Sequence, residues 1–146
     1  MKLSTRTRYA IRALVDLAVN SNGFPIFIKD IAARQAVSVK YLEALFYQLK
    51  QSGLIRSIRG ARGGYLLDKK PEEITLWDLV TYLETSSELI ECISDKGICE
   101  RKMMCPSIDI YKEISERWKQ ILSSYTLESF INNYYLKRES ALIYCI

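Results

Sequence analysis

Apolar positions recur at helical spacing from the start of the chain. From Ser4 or Thr5, residues Tyr9, Ala10, Ala13, Leu14, Leu17 and Ala18 repeat every few positions, with Arg6, Arg8, Arg12 and Asp16 between them. One stripe therefore faces a core and the rest faces water. Asn20-Ser21-Asn22-Gly23 supplies the stop, because Asn and Gly tolerate the backbone that ends a helix. Phe24 to Ile28 is a short apolar extended piece. Ile28, Ile31, Ala32 and Val37 mark a second, short helix over residues 28–35, and Gln35-Ala36-Val37 turns the chain into Ser38, a good N-cap. Tyr41, Leu42, Leu45, Phe46 and Leu49 carry a third helix to Ser52-Gly53. Two helices joined by a turn of about three residues form a helix-turn-helix, a pattern shared by any corner between two helices.

The period then changes. Leu54 to Ile58 reads as a strand, Arg59-Gly60-Ala61-Arg62-Gly63-Gly64 as a hairpin tip, and Tyr65 to Leu67 as the returning strand. A helix-turn-helix followed by a basic, glycine-rich hairpin predicts a winged helix. Its glycines let the backbone approach a phosphate or groove, and Arg59 and Arg62 carry charge to where the minor groove concentrates negative potential. An ordinary surface hairpin is the competing reading.

Pro71-Glu72-Glu73-Ile74 opens a further helix, with Thr75 and Asp78 as its capping pair and Leu76, Leu79, Val80 and Leu83 as its buried stripe. Trp77 and Tyr82 read as packing residues, and the helix runs out at Thr85-Ser86-Ser87. Past Pro106 comes the longest periodic stretch, with Ile110, Tyr111, Ile114, Trp118, Ile121, Leu122 and Tyr125 opposite Lys112, Glu113, Glu116, Arg117 and Lys119. A helix of roughly 17 to 19 residues is about 25 to 29 Å long. That is long for a chain whose first half already has a three-helix core, so dimerisation is the expected use. Thr126 to Tyr135 predicts a shorter closing helix, and the tail after Lys137, including Cys145, carries no functional signal. The expected fold is mainly α with a small β wing: a winged helix-turn-helix plus a long dimerisation helix. Residues 1–70 form the DNA-binding region, 71–106 the connecting helix and cysteine cluster loop, 107–135 the dimerisation and closing helices, and 136–146 the tail.

Composition narrows the function. At 146 residues the chain fits one ordinary domain. The first residues lack an apolar signal region and no run approaches bilayer length, which predicts a cytoplasmic protein with reduced thiols. There is no histidine. That removes Ser-His and Cys-His nucleophilic machinery and most zinc hydrolase sites, so an enzyme is not expected. The net charge of +4 is unevenly spread: residues 1–70 carry 13 Lys/Arg against 4 Asp/Glu, while residues 71–146 carry 8 against 13. A basic half joined to an acidic one is expected when one part meets a polyanion.

Cys92, Cys99 and Cys105 sit in fourteen residues of polar sequence, among Asp95, Lys96, Gly97, Glu100, Arg101 and Lys102. Buried free cysteines belong on apolar faces, so three thiols here suggest a soft-metal or redox site. Six and five residues separate them, too many for the paired-cysteine knuckle of most zinc fingers. An iron-sulfur cluster, a thiol-disulfide sensor without metal and zinc all stay open on spacing alone.

The opening Met1-Lys-Leu-Ser-Thr-Arg-Thr-Arg-Tyr-Ala-Ile-Arg-Ala-Leu14, the Ser38-Val-Lys-Tyr-Leu-Glu-Ala-Leu45 helix, the Gly53 to Leu67 wing and the cysteine triad together resemble the Rrf-two family of bacterial winged-helix regulators, on its IscR- and NsrR-like side. The resemblance covers residues 1–133 in order. It implies a homodimer on a pseudo-palindromic operator in double-stranded DNA. The Ser38 to Gly53 helix would enter the major groove, with Ser38, Lys40, Tyr41 and Glu43 reaching phosphate or base edges beside Arg59 and Arg62 of the wing. Tyr41 is also readable as half core, and Glu43 as a partner along its own helix. The resemblance further implies that Cys92, Cys99 and Cys105 hold an iron-sulfur cluster, two-iron as in IscR-like members or four-iron, that senses iron-sulfur status, oxygen or nitric oxide. The family's fourth ligand is missing: Ile108 stands in place of a histidine and Arg8 in place of an aspartate. Glu91, Asp95, Glu100, Ser107, Asp109, a partner residue or an exogenous group are the substitutes. A cysteine-metabolism regulator without a cluster is the runner-up. A redox carrier that uses the winged helix for protein docking is the alternative of another class.

Overall fold

A computed structural model describes residues 3–85, 90 and 99–144. Among these residues the protein is mainly helical with one two-stranded antiparallel sheet. Helix α1 (Thr5–Ser21) starts at Ser4, whose hydroxyl accepts the Thr7 N–H, and stops at Asn22 in the left-handed conformation. Helix α2 (Ile28–Gln35) is ended by Ala36 at φ 53°, an uncommon backbone for a residue with a side chain. The Ala36 N–H stays satisfied by the carbonyls of Ala32 and Ala33. Helix α3 (Val39–Gln51) begins at Ser38, which accepts the Tyr41 N–H.

The core forms where these helices cross. Ala10, Ala13, Leu14 and Leu17 of α1 pack with Ile31 and Ala32 of α2 and with Leu42, Leu45, Phe46 and Leu49 of α3. Each fully buried Leu, Ile or Phe stabilises the fold by about 1.5 to 3 kcal/mol relative to exposure. Strands β1 (Ile55–Ile58) and β2 (Gly64–Leu67) pair with Ile55 opposite Leu67 and Ile58 opposite Gly64. Tyr65 sets its ring edge-on against buried Phe46 at 4.9 Å, which fixes the hairpin to α3.

The stretch expected to open one helix at Pro71 does something different. Pro71–Glu73 is a separate 3-10 turn, Ile74 is extended and buried, and α4 spans Leu76–Leu83. The break has a tertiary cause: the Ile74 carbonyl accepts the Leu127 N–H at 2.8 Å and the Leu76 N–H donates to the Tyr125 carbonyl at 2.8 Å. Thr75 and Asp78 then form the expected reciprocal cap. Leu79 and Leu83 join the main core, while Leu76 and Val80 meet Leu122 in a smaller cluster with Trp77 and Trp118 at its edge. Tyr82, expected to pack, is 49% exposed.

Helix α5 (Ile108–Ser124) has the expected length but buries only Ile108 and Leu122. Helix α6 (Leu127–Tyr144) runs well past Tyr135, through most of the stretch read as a tail. Its inner face, Leu127, Phe130 and Ile131, packs on the core. From Asn132 to Ala141 the helix is exposed, so no apolar stripe announced it. Residues 136–144 contain no glycine or proline to stop it.

Candidate nucleic-acid interface and cysteine segment

Four of the residues expected to meet DNA, Ser38, Lys40, Tyr41 and Glu43, lie at the start of α3. Ser38 tips the helix with its hydroxyl on the Tyr41 N–H at 3.2 Å, leaving the other free N–H groups of the first turn to face an anion. Lys40 and Glu43 are exposed, and neither has an ion pair among the described residues. Glu43 therefore does not pair along its own helix. Tyr41 is half-buried and edge-on to Tyr9, with ring centroids 5.9 Å apart. Its ring belongs partly to the core.

Arg59 and Arg62 stand exposed at the hairpin tip without an ion pair among the described residues, whereas Arg56 on β1 is tied to Asp68 at 3.5 Å. Two glycines shape this tip. A side chain at Gly63 would strike the Ile58 carbonyl oxygen and come within 2.8 Å of that of Gly60. Gly64, at φ 139°, lies against the Ile26 backbone. That closeness lets Ile26 and Tyr65 exchange backbone hydrogen bonds at 3.0 and 2.8 Å. The wing is thus pinned to the α1–α2 connection by a residue that sequence reading took only as part of an apolar extended piece. The spacing of a single pairing residue carries no signal of its own.

Cys99 is an exposed free thiol and Cys105 a half-buried one. They flank a 3-10 turn, Lys102–Met104, on which the Lys102 N–H donates to the Cys99 carbonyl at 3.2 Å and the Cys105 N–H to the Lys102 carbonyl at 3.4 Å. Cys92, Glu91 and Asp95 lie outside the described residues, as does Cys145. Among the described residues no three acidic, Cys or His side chains gather into a metal site. The two accessible thiols are soft donors of the kind that thiophilic metals and iron-sulfur clusters take, so this part of the donor set fits in chemistry. Ile108, which opens α5, is buried, and Arg8 donates to the Thr5 hydroxyl at 3.2 Å; neither side chain can ligate iron. Ser107 precedes α5 without a side-chain capping bond, Asp109 is paired with Lys112 at 3.3 Å, and Glu100 is exposed. No helix among the described residues is long and apolar enough to cross a membrane.

Comparison with known proteins places this geometry. The Rrf2 family, described as iron-dependent transcriptional regulators, matches residues 3–133. The protein Rrf2 of Nitratidesulfovibrio vulgaris is 40% identical over 91% of this chain and 89% of its own. The regulator IscR of Klebsiella pneumoniae is 36% identical over 91% and 81%. Among solved structures, IscR of T. potens superposes with a TM-score of 0.70 at 30% identity, covering 92% of this chain and 88% of its own. CymR, the global cysteine regulator of B. subtilis, superposes with a TM-score of 0.70 at 34% identity, covering 91% and 98%. These relatives are transcriptional regulators and not enzymes, the mainly helical fold with its small two-stranded sheet matches theirs, and the chain belongs to the Rrf2 family of DNA-binding transcriptional regulators.

Proposed function

We propose that this regulator acts as a homodimer on a pseudo-palindromic operator, and that operator binding is controlled by an iron-sulfur cluster held by Cys92, Cys99 and Cys105. Residues 1–70 are the reader, 71–106 the connecting helix and sensor loop, and 107–135 the dimerisation region. The observation that carries the reading is the position of free, accessible Cys99 and Cys105 between a winged helix and a helix whose apolar face the chain leaves uncovered. A bound cluster, two-iron by likeness to IscR and four-iron otherwise, supplies a centre sensitive to iron supply, oxygen or nitric oxide. With Ile108 and Arg8 unable to ligate, the fourth ligand falls to an acidic or hydroxyl residue of the loop, to the partner subunit or to an exogenous group.

At the operator, the N-terminal end of α3 enters the major groove. Ser38 and the free N–H groups meet phosphate, Lys40 reaches phosphate or a guanine edge, and Glu43 accepts from cytosine or rejects the wrong base. The polar edge of Tyr41 reaches the backbone while its ring stays on Tyr9. Arg59 and Arg62 enter the neighbouring minor groove. Two copies place half-sites about 34 Å apart or a multiple of that spacing.

Optical and Mössbauer spectra of anaerobically purified protein test the cluster. Iron-sulfur signals are expected in the wild type and not in a variant with Cys92, Cys99 and Cys105 all replaced by Ala; identical spectra would defeat the proposal. A second reading, a thiol switch or cysteine-metabolism regulator without a cluster, is favoured by the exposure of Cys99 and by the likeness to CymR. Wild-type protein without iron-sulfur signals, together with operator binding that responds to thiol oxidation, would select it. Operator binding unchanged in the triple variant would select a regulator that works without these cysteines.

A further inference from the structure

Between α6, α1 and the end of α2 lies a partly open cleft of about 630 Å³. Such volumes are typical of sites for small organic molecules. Its floor is apolar, made by Ile11, Val15 and Phe130, and its rim carries Arg12, Arg34 and Lys137. The one carboxylate in its wall among the described residues, Asp16, is buried and already satisfied: Arg34 donates to both of its oxygens at 2.6 to 3.0 Å and the Gln35 amide donates at 2.9 Å. That ion pair cancels one cation. Among the described residues Arg12 bonds only neutral groups, the Gln35 side-chain and backbone carbonyls at 3.1 Å, with its guanidinium over the Tyr9 ring. Lys137 is exposed, with no ion pair among the described residues.

The cleft therefore combines an apolar floor with two uncompensated positive charges. None of Ser38, Lys40, Tyr41, Glu43, Arg59 or Arg62 lines it, so it is separate from the proposed DNA surface. We propose that this cleft binds a small organic anion, with its carboxylate or phosphate head between Arg12 and Lys137 and a short apolar body on Ile11, Val15 and Phe130. A cationic ligand is disfavoured because Asp16 has no free oxygen to offer, and a bare inorganic ion leaves the apolar floor wet.

The test titrates the full-length protein with hexanoate, hexyl phosphate, hexanol and inorganic phosphate, following backbone amide shifts by NMR. Saturable shifts around Arg12, Gln35, Asn133 and Lys137 are expected with hexanoate or hexyl phosphate, and the stronger of the two identifies the head group. Hexanol and inorganic phosphate are expected to bind at least several-fold more weakly. Lys137→Glu should weaken binding by about two- to fivefold, the size of one exposed charge pair, and Lys137→Gln serves the same purpose if the first variant folds poorly. Shifts absent from the cleft, hexanol binding as well as hexanoate, or affinity unchanged in both Lys137 variants would overturn the proposal, as would a cleft already covered by a second copy in the homodimer.

Discussion

Thr7, wholly buried in α1, donates its hydroxyl hydrogen to Glu84 Oε1, 77 residues further along the chain, at 2.5 Å. The Ser4 N–H donates to the same oxygen at 2.9 Å, and Arg6 donates to the neighbouring Leu83 carbonyl at 3.3 Å. Glu84 is the residue that ends α4, two positions before the chain leaves the described region toward the cysteines. The beginning of α1 and the entry to the cysteine segment are therefore one joint.

That joint has a pH signature. Partial burial pushes the Glu84 carboxyl up, but the bonds from Thr7 and Ser4, with the charge of Arg6, outweigh it and hold the group below the ordinary glutamate value of 4.5. A depressed carboxylate contributes stability that is present above the ordinary value and lost as pH falls through the lower folded value. Glu84→Gln is expected to destabilise the fold by about 1 kcal/mol at neutral pH. The gap between wild-type and variant should narrow in denaturant titrations as pH drops below the ordinary value. A gap that stays constant with pH would remove the charge from the account.

The wing depends on a glycine for position as well as flexibility. Gly64→Ala puts a methyl group into the Ile26 backbone at a φ of 139°, a conformation that is costly for any residue with a side chain. The expected cost is about 2 kcal/mol or more, together with weaker operator binding as the hairpin separates from the α1–α2 connection. Urea unfolding and fluorescence anisotropy read the two effects separately.

Replacing Arg59 and Arg62 together by Ala should weaken duplex binding. It should also lower the slope of log affinity against log salt by about one unit for each phosphate that is no longer neutralised. Both arginines are exposed, so the thermal midpoint should hardly move. An unchanged affinity for a genomic operator would count heavily against the proposed wing interaction.

Ser38→Ala removes the cap of α3 and is expected to cost about 1 kcal/mol, a fall of a few degrees in thermal midpoint for a chain of this size. The variant Ser38→Asp keeps an acceptor for the Tyr41 N–H but brings negative charge toward phosphate. It should retain stability while binding the operator more weakly, a split that distinguishes the cap from the DNA interaction.

Along α5, Ile110, Ile114, Ile121 and Tyr125 are between 46% and 59% exposed, an apolar surface that the proposed second copy would cover. Ile114→Glu with Ile121→Glu should convert a dimer to a monomer in sedimentation equilibrium without unfolding it, since neither side chain belongs to the buried core. A mass that stays dimeric would move the interface elsewhere.

Elements whose causes lie within a few residues were legible in the chain alone. Ser4, Ser38 and the Thr75–Asp78 pair cap helices through bonds to residues three positions away, and Asn22 and Gly53 end helices through their own left-handed backbones. Periodicity likewise exposed the α1 and α3 stripes and the length of α5. Links between distant residues were settled by packing instead. Ile26 holding Tyr65, Ile74 kept extended by Leu127, Thr7 meeting Glu84 and Arg34 neutralising Asp16 each pair groups of complementary chemistry whose sequence separation has no preferred value. The stretch of α6 from Asn132 to Ala141 was hidden for a related reason: a solvated helix needs no apolar stripe. Such pairings become specific only when the packed core brings the backbones together, because that packing sets which donor and acceptor meet.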